Sequence, residues 1–527
     1  GSMSGPTDRL QKLAVATSHS LEATKEYLRG EQLLRQGRYR EAGAAYDLAV
    51  GLDPEFALAH YRKSLAADWT DAYDVRSSAE RALELADHLS PRDRNLLSAL
   101  LLRRTGQNRR AEQAYRAHLH TYPDDVEALL QLGEVLFHDN PRWGVDMREA
   151  LEPFTKSVQL EPVNSNARIH LARLYALMGD LEALSATADV FTAESSESER
   201  SVEVDAIYAV ATGDSARMGT VMDRIRESPG YFAFYAAHGV DRFVRDPHTA
   251  LRILDESGHD DDLLLGTKAN LLVAQGRGRD LDELLQGIPG GRTPTWDLYE
   301  AFILTSGTLR VSPDRLEALL ERVRAIDPTE SLETAWLPPY EDLTGAYARF
   351  ERDYHEALLL IHLGRIGEAR EVMTEMEGIG DLPGLGSIAI DGVVGLQAEI
   401  HLQTGDSAQA LQTLRSLSFD VTHAASVRPL PDQARARLLR AQLEWKLGEV
   451  DVAVAYLRGL DESWGLWDTP FRPQAYRTLG EIAASQGRMD DVARYYDLLV
   501  TLWARCDPEL VPEREEIQAW LEGVRGG

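Results

Sequence analysis

A glycine followed five residues later by alanine occurs at Gly37/Ala42, Gly106/Ala111, Gly364/Ala369, Gly405/Ala410 and Gly448/Ala453. Another apolar residue takes the second place at Gly179/Leu184, Gly213/Met218 and Gly487/Val492. A run of about a dozen residues with the three-and-four apolar spacing of an amphipathic helix flanks each pair on both sides. A glycine between two such runs predicts a tight turn between antiparallel helices. Eight recurrences in 527 residues predict an array of hairpins rather than one core. Neither helix of such a pair is stable alone, so each hairpin must bury its apolar face on its neighbours.

The first unit shows the pattern in full. Ser20 stands where an N-cap is needed, and apolar positions recur through Leu28, Leu33 and Leu34 before Gly37 interrupts. A second run carries Ala42, Tyr46, Ala49 and Val50, and Pro54 ends it because proline cannot continue the hydrogen-bond ladder. Small alanines permit close approach of the paired helices, with Tyr46 filling the space between successive pairs.

Gly30, Leu33, Gly37, Tyr39, Ala42, Tyr46, Ala49 and Pro54 together resemble a tetratricopeptide repeat. Ala111, Tyr115 and Pro123 match the second half of another unit. Leu132, Gly133, Ala150, Phe154 and Pro162 match a third, whose internal turn "DNPRWGVDMRE" is about five residues longer than the family's. Leu479, Gly480, Gly487 and Tyr496 match again near the end. The resemblance implies an all-α solenoid of helical hairpins wound as a right-handed superhelix. Residues 16–175 are also similar to the repeat regions that follow the catalytic domain in many bacterial serine/threonine kinases.

Repeat quality divides the chain into five parts. Residues 1–20 are an extension whose Gly1–Met3 reads as a protease scar plus an initiating methionine. Residues 21–190 form a first array, 191–340 carry degenerate hairpins, 341–510 form a second array, and 511–527 read as a charged capping helix. The polar stretch Phe191–Ser201 reads as a linker or flexible loop at the edge of the first array. Trp336, Tyr340 and Tyr347 beside Pro338-Pro339 read as a staple between solenoid segments.

Charge and chemistry narrow the function. Eighty-five acidic against 56 basic residues leave a formal charge of -29, which repels phosphate backbones and anionic membranes and argues against a nucleic-acid partner. No apolar run approaches the roughly 18 residues that span a bilayer. The single Cys506 excludes an internal disulfide framework and a multi-cysteine zinc site, and it has no neighbouring His. His355 and His362 are two turns apart, with Leu at position 359, which is poor geometry for one metal. "SGHDDD" at Ser257–Asp262 lacks the alternating ligands of a calcium loop. Gly378–Gly386 is glycine-rich but lies between helices, not after a strand, so it is no phosphate cradle. The expectation is a non-enzyme with no cofactor and no metal.

What the resemblance implies instead is a binding surface. First helices of stacked hairpins line a concave groove. The family's groove positions fall on Tyr27, Glu31, Tyr61, Leu65, Trp69, Arg103, Leu130, Glu134, Phe137, His138, Ile169 and Arg173. Aromatics, acids and arginines of this kind suit recognition of a protein or peptide partner. The alternative is that Tyr61, Trp69 and Phe137 pack between repeats. Glu31 after Gly30 and Glu134 after Gly133 replace the lysine and asparagine of the family's clamp for chaperone tails. The reading is a scaffold or sensor region of a bacterial signalling protein. Its alternative is a module that senses a small ligand and controls a linked kinase, cyclase or transcription factor.

Overall fold

The computed structural model describes residues 18–67, 69–70, 75–194, 197–327, 345–376, 386–419 and 433–526. Trp336, the Pro338-Pro339 turn and Tyr340 lie outside them, as do Gly1–Met3 and most of Gly378–Gly386. The chain is 78% helical, with no strand among the described residues. It is the expected all-α array of antiparallel hairpins. All eight repeat glycines sit in turns with φ between 69° (Gly487) and 88° (Gly448), a left-handed conformation that side-chain-bearing residues rarely adopt.

Packing separates two compact units. The first comprises the described residues through Phe137 together with Arg148–Val244. Its hairpins are α1 (Leu21–Arg35) with α2 (Tyr39–Leu52), α3 (Ala57–Ala67) with α4 (Val75–Glu84), and α5 (Pro91–Arg104) with α6 (Asn108–Thr121). Next come α7 (Val126–Glu134) with α8 (Leu151–Leu160), α9 (Ser165–Met178) with α10 (Leu181–Glu194), and α11 (Ser201–Thr212) with α12 (Ser215–Glu227). Helix α13 (Tyr231–Gly239) packs on α11. Caps fix the starts: Ser20 accepts from the Ala23 amide at 3.2 Å, and Ser90 accepts from Asp93 ahead of Pro91.

Small-against-aromatic packing closes the hairpins. A Cβ added to Gly30 would lie 2.6 Å from the Tyr46 ring, and Gly133 and Gly480 meet Phe154 and Tyr496 in the same way. Tyr46 therefore fills the space inside its own hairpin rather than between successive pairs. The unit also curls back on itself. Tyr39 donates to Asn166 at 2.8 Å, Ser165 to the Arg35 carbonyl at 2.9 Å, and the Glu199 amide to the Gly37 carbonyl at 3.1 Å. The stretch expected to be a flexible linker is thus pinned where described: Arg38 pairs with Glu197, and Arg40 with Glu199.

The second unit comprises His138–Met147 and the described residues from Arg245 onward. It opens with α14 (Pro247–Glu256), α15 (Asp262–Ala274), α16 (Gly278–Gln286), α17 (Pro294–Leu304) and α18 (Pro313–Arg324). The later hairpins are α19 (Gly345–His362) with α20 (Ile366–Met376), α21 (Gly386–Gln403) with α22 (Ser407–Arg415), α23 (Ala434–Lys446) with α24 (Val450–Asp461), and α25 (Arg472–Ser485) with α26 (Met489–Leu502). The long turn of the third repeat belongs here, its 3-10 segment Asn140–Trp143 packing on α24. A final helix, α27 (Val511–Gly526), lies on α26 with Trp520 edge-on to Tyr496. This unit too returns on itself. Trp503 donates to the Ala274 carbonyl at 3.2 Å and the Asp507 amide to the Gly276 carbonyl at 2.9 Å.

Candidate partner-binding cavity

The first unit carries an open cavity of about 610 Å³ lined in large part by its first helices. Glu31, Leu34 and Arg35 enter it from α1, Arg62 from α3, and Arg92 from the first turn of α5. The segment from Thr121 to Glu127 supplies one wall, and Leu160, Glu161, Asn164 and Asn166 another. Both walls are turns between repeats, and their shape follows from capping. Asp125 caps α7 through the Ala128 amide and Asn164 caps α9 through the Ala167 amide. Tyr122 and Leu160, 37% and 40% exposed, form an apolar lip.

Arginines bridge carboxylates around the cavity. Arg62 lies with Nε 2.9 Å from Glu31 and Nη1 2.5 Å from Glu127. Burial works against its charge, but Glu127 and Glu31 outweigh that and hold its pKa well above the ordinary arginine value. Arg92 grips Asp125 with two bonds of 2.6 Å and Asp93 with a third. Burial pushes the Asp125 carboxyl up, but Arg92 and His118 outweigh it and hold the pKa below the usual range. Arg35 lies 2.9 Å from Glu161 and 3.7 Å from Glu31. Glu161 goes the other way: burial raises its pKa, Arg35 opposes, and the charges of Glu31 and Glu127 add to the rise.

Of the twelve groove positions read from sequence, Glu31 and Leu130 line this cavity. The other ten do not line it. Tyr27 is buried against Phe56, and Tyr61, Leu65 and Ile169 are buried in the interior. Trp69 stacks on Tyr39 with centroids 4.6 Å apart and meets His170 edge-on. Phe137 is enclosed by Phe154, His170 and Phe243. Arg173 is clamped by Glu203 of α11 at 2.7 and 3.0 Å, while buried Arg103 lies 3.9 Å from Glu134. His138 belongs to the second unit, edge-on to Trp464. Eight of these ten positions are buried, and Trp69 and His138 are half-buried.

Arg35, Arg62, Arg92, Glu127 and Glu161 escaped the sequence reading. A usable signal existed. Glu31 and Arg35 are one helical turn apart, and "YPDD" and "EPVN" are inter-repeat turns whose capping residues Asp125 and Asn164 line the cavity.

Elsewhere, His355 donates from Nδ1 to the Glu351 carbonyl at 2.7 Å, and burial lowers its pKa to about 4. His362 instead faces Glu399, 3.6 Å away. Asp261 caps α15 and Asp262 accepts from Trp296, so that acidic stretch serves as helix structure. Burial raises the Cys506 thiol pKa. The second unit holds a smaller cavity of about 170 Å³ between Thr308, Arg477 and Trp503.

Residues 96–142 and 396–466 match the family model described as tetratricopeptide repeat. The P58(IPK) TPR domain crystal structure is 13% identical, covering 87% of this chain and 98% of its own, with a TM-score of 0.18. The APC/C hetero-tetramer Cut9–Hcn1 is 11% identical, covering 97% and 99%, with a TM-score of 0.26. At those scores neither adds to the argument. No curated protein matches the sequence.

Proposed function

Since this chain carries tetratricopeptide repeats, at residues 96–142 and 396–466, we propose that it is a non-catalytic scaffold whose protein partner docks in the first unit's cavity. Such repeats mediate protein–protein interaction as a class. The observation that carries the reading is the cavity itself: about 610 Å³, lined by inter-repeat turns and by first helices, with an apolar lip over a charged floor. A formal charge of -29 weighs against a nucleic-acid partner, and no described helix is long and apolar enough to cross a membrane.

The similarity of residues 16–175 to kinase-borne arrays supports a place in a bacterial signalling protein. A second reading is favoured by one number. The volume falls inside the roughly 300–1,000 Å³ of small-molecule sites, so a small ligand sensed here would control a linked enzyme. Photo-crosslinkers at Tyr122 and at Leu48, both exposed, test the main reading. A polypeptide partner captured at position 122 and not at 48 supports it. Equal capture at the two positions, or none at 122, refutes it.

A further inference from the structure

The cavity's charges do not balance. Arg62 is shared by Glu31 and Glu127, Arg92 by Asp93 and Asp125, and Arg35 by Glu31 and Glu161. Asp93 lies outside the lining and His118 also meets Asp125, so three guanidiniums face four lining carboxylates, Glu31, Asp125, Glu127 and Glu161, one cation short. Asp124, also on the wall, is met by Lys156 at 3.2 Å and leaves the deficit unchanged. Buried Glu127 Oε1 makes no hydrogen bond. A negative cavity with low-dielectric walls concentrates cations and repels anions. Its lip adds a second preference. Tyr122, Leu160 and Val126 offer apolar surface beside the acids, which matches a side chain with an aliphatic stem and a cationic head.

We propose that this cavity selects a partner segment carrying lysine or arginine, whose cation completes the charge network around Glu161 and Glu127 while its stem lies on the apolar lip. The inference rests on the reading of this cavity as the docking site. It points away from acidic chain termini, because an entering carboxylate would add to the uncompensated negative charge. The raised pKa of Glu161 accords with a local shortage of positive charge.

The test uses the full chain and three fluorescein-labelled nonapeptide pools with randomised flanks and a fixed central Arg, Gln or Glu. Anisotropy at low salt should show the Arg pool bound on the order of tenfold more tightly than the Gln pool. The Glu pool should be weakest, and the differences should shrink as salt rises. Glu161→Gln should reduce the preference for the Arg pool over the Gln pool several-fold, with helicity as the fold control. Glu127→Gln is the second variant should the first unfold. A benzophenone on the Arg pool should crosslink to residues 121–127 or 160–166. Equal binding of all pools in the cavity overturns charge selection and leaves the docking reading standing. Preference for Glu, or Arg-pool crosslinks elsewhere, overturns the proposal. Absence of binding by every pool counts against both readings.

Discussion

Two glycines in the first hairpin allow the hairpin packing to be weighed by a change of sign. Gly30 faces Tyr46: an alanine Cβ there would lie 2.6 Å from ring carbon Cε1 and 2.8 Å from Cδ1 and Cζ. Ordinary carbon contacts lie near 3.5–4.0 Å, so relief needs a shift of about 1 Å. The ring cannot swing away, because Tyr46 is fully buried and its hydroxyl donates to Glu31 at 2.8 Å. Overpacking of this kind costs about 1–3 kcal/mol, and alanine's helix propensity returns about 1 kcal/mol. Gly30→Ala should destabilise the hairpin by up to about 2 kcal/mol. Gly43, within α2, has nothing within 4 Å of its added Cβ. Gly43→Ala should therefore stabilise by about 0.5–1 kcal/mol. Hydrogen exchange of the α1 and α2 amides reads local opening in an array that need not unfold as one step. Stabilisation by both variants would refute the account of the hairpin seam.

Trp69→Ala removes a ring stacked on Tyr39, and should lower first-unit stability by about 3 kcal/mol or more; an unchanged melting profile would show that the ring is not structural. Arg62→Met leaves Glu31 and Glu127 buried without their shared cation, costing about 3–5 kcal/mol in urea titrations, and adding Glu127→Gln should recover part of it. Burial holds His355 neutral in the fold down to about pH 4, whereas an unfolded histidine takes a proton near pH 6.5. The unfolded state thus binds more protons across that window, so second-unit stability should fall by about 3 kcal/mol as pH drops from 6.5 to 4. His355→Phe should flatten that slope in exchange measurements on α19.

Local structure was legible because it depends on neighbours in sequence. A glycine at each hairpin turn and a small or apolar residue five places on are demands of one turn and one helix pair. Seven of the eight partner residues are buried, Met218 being half-buried. A ninth pair with the same geometry, Gly276 and Leu281, obeyed the same rule and was missed. Groove positions were another matter. Whether a first-helix side chain faces open space depends on how tightly the unit curls, and that is set by contacts between distant residues. Trp69 meets His170, and Arg173 meets Glu203 of α11; no periodicity marks those encounters. The cavity's arginines went unread for the same reason. Only the curl brings Arg35 and Arg62 to the walls that Glu161 and Glu127 provide.

Hydrogen exchange on the full chain, with and without the Arg-centred peptide pool, tests the central claim most directly. If the first unit's cavity is the binding site, exchange should slow at residues 121–130 and 160–170 and stay unchanged along α26. Protection confined to the second unit, with none around Asp125 and Asn164, would contradict it.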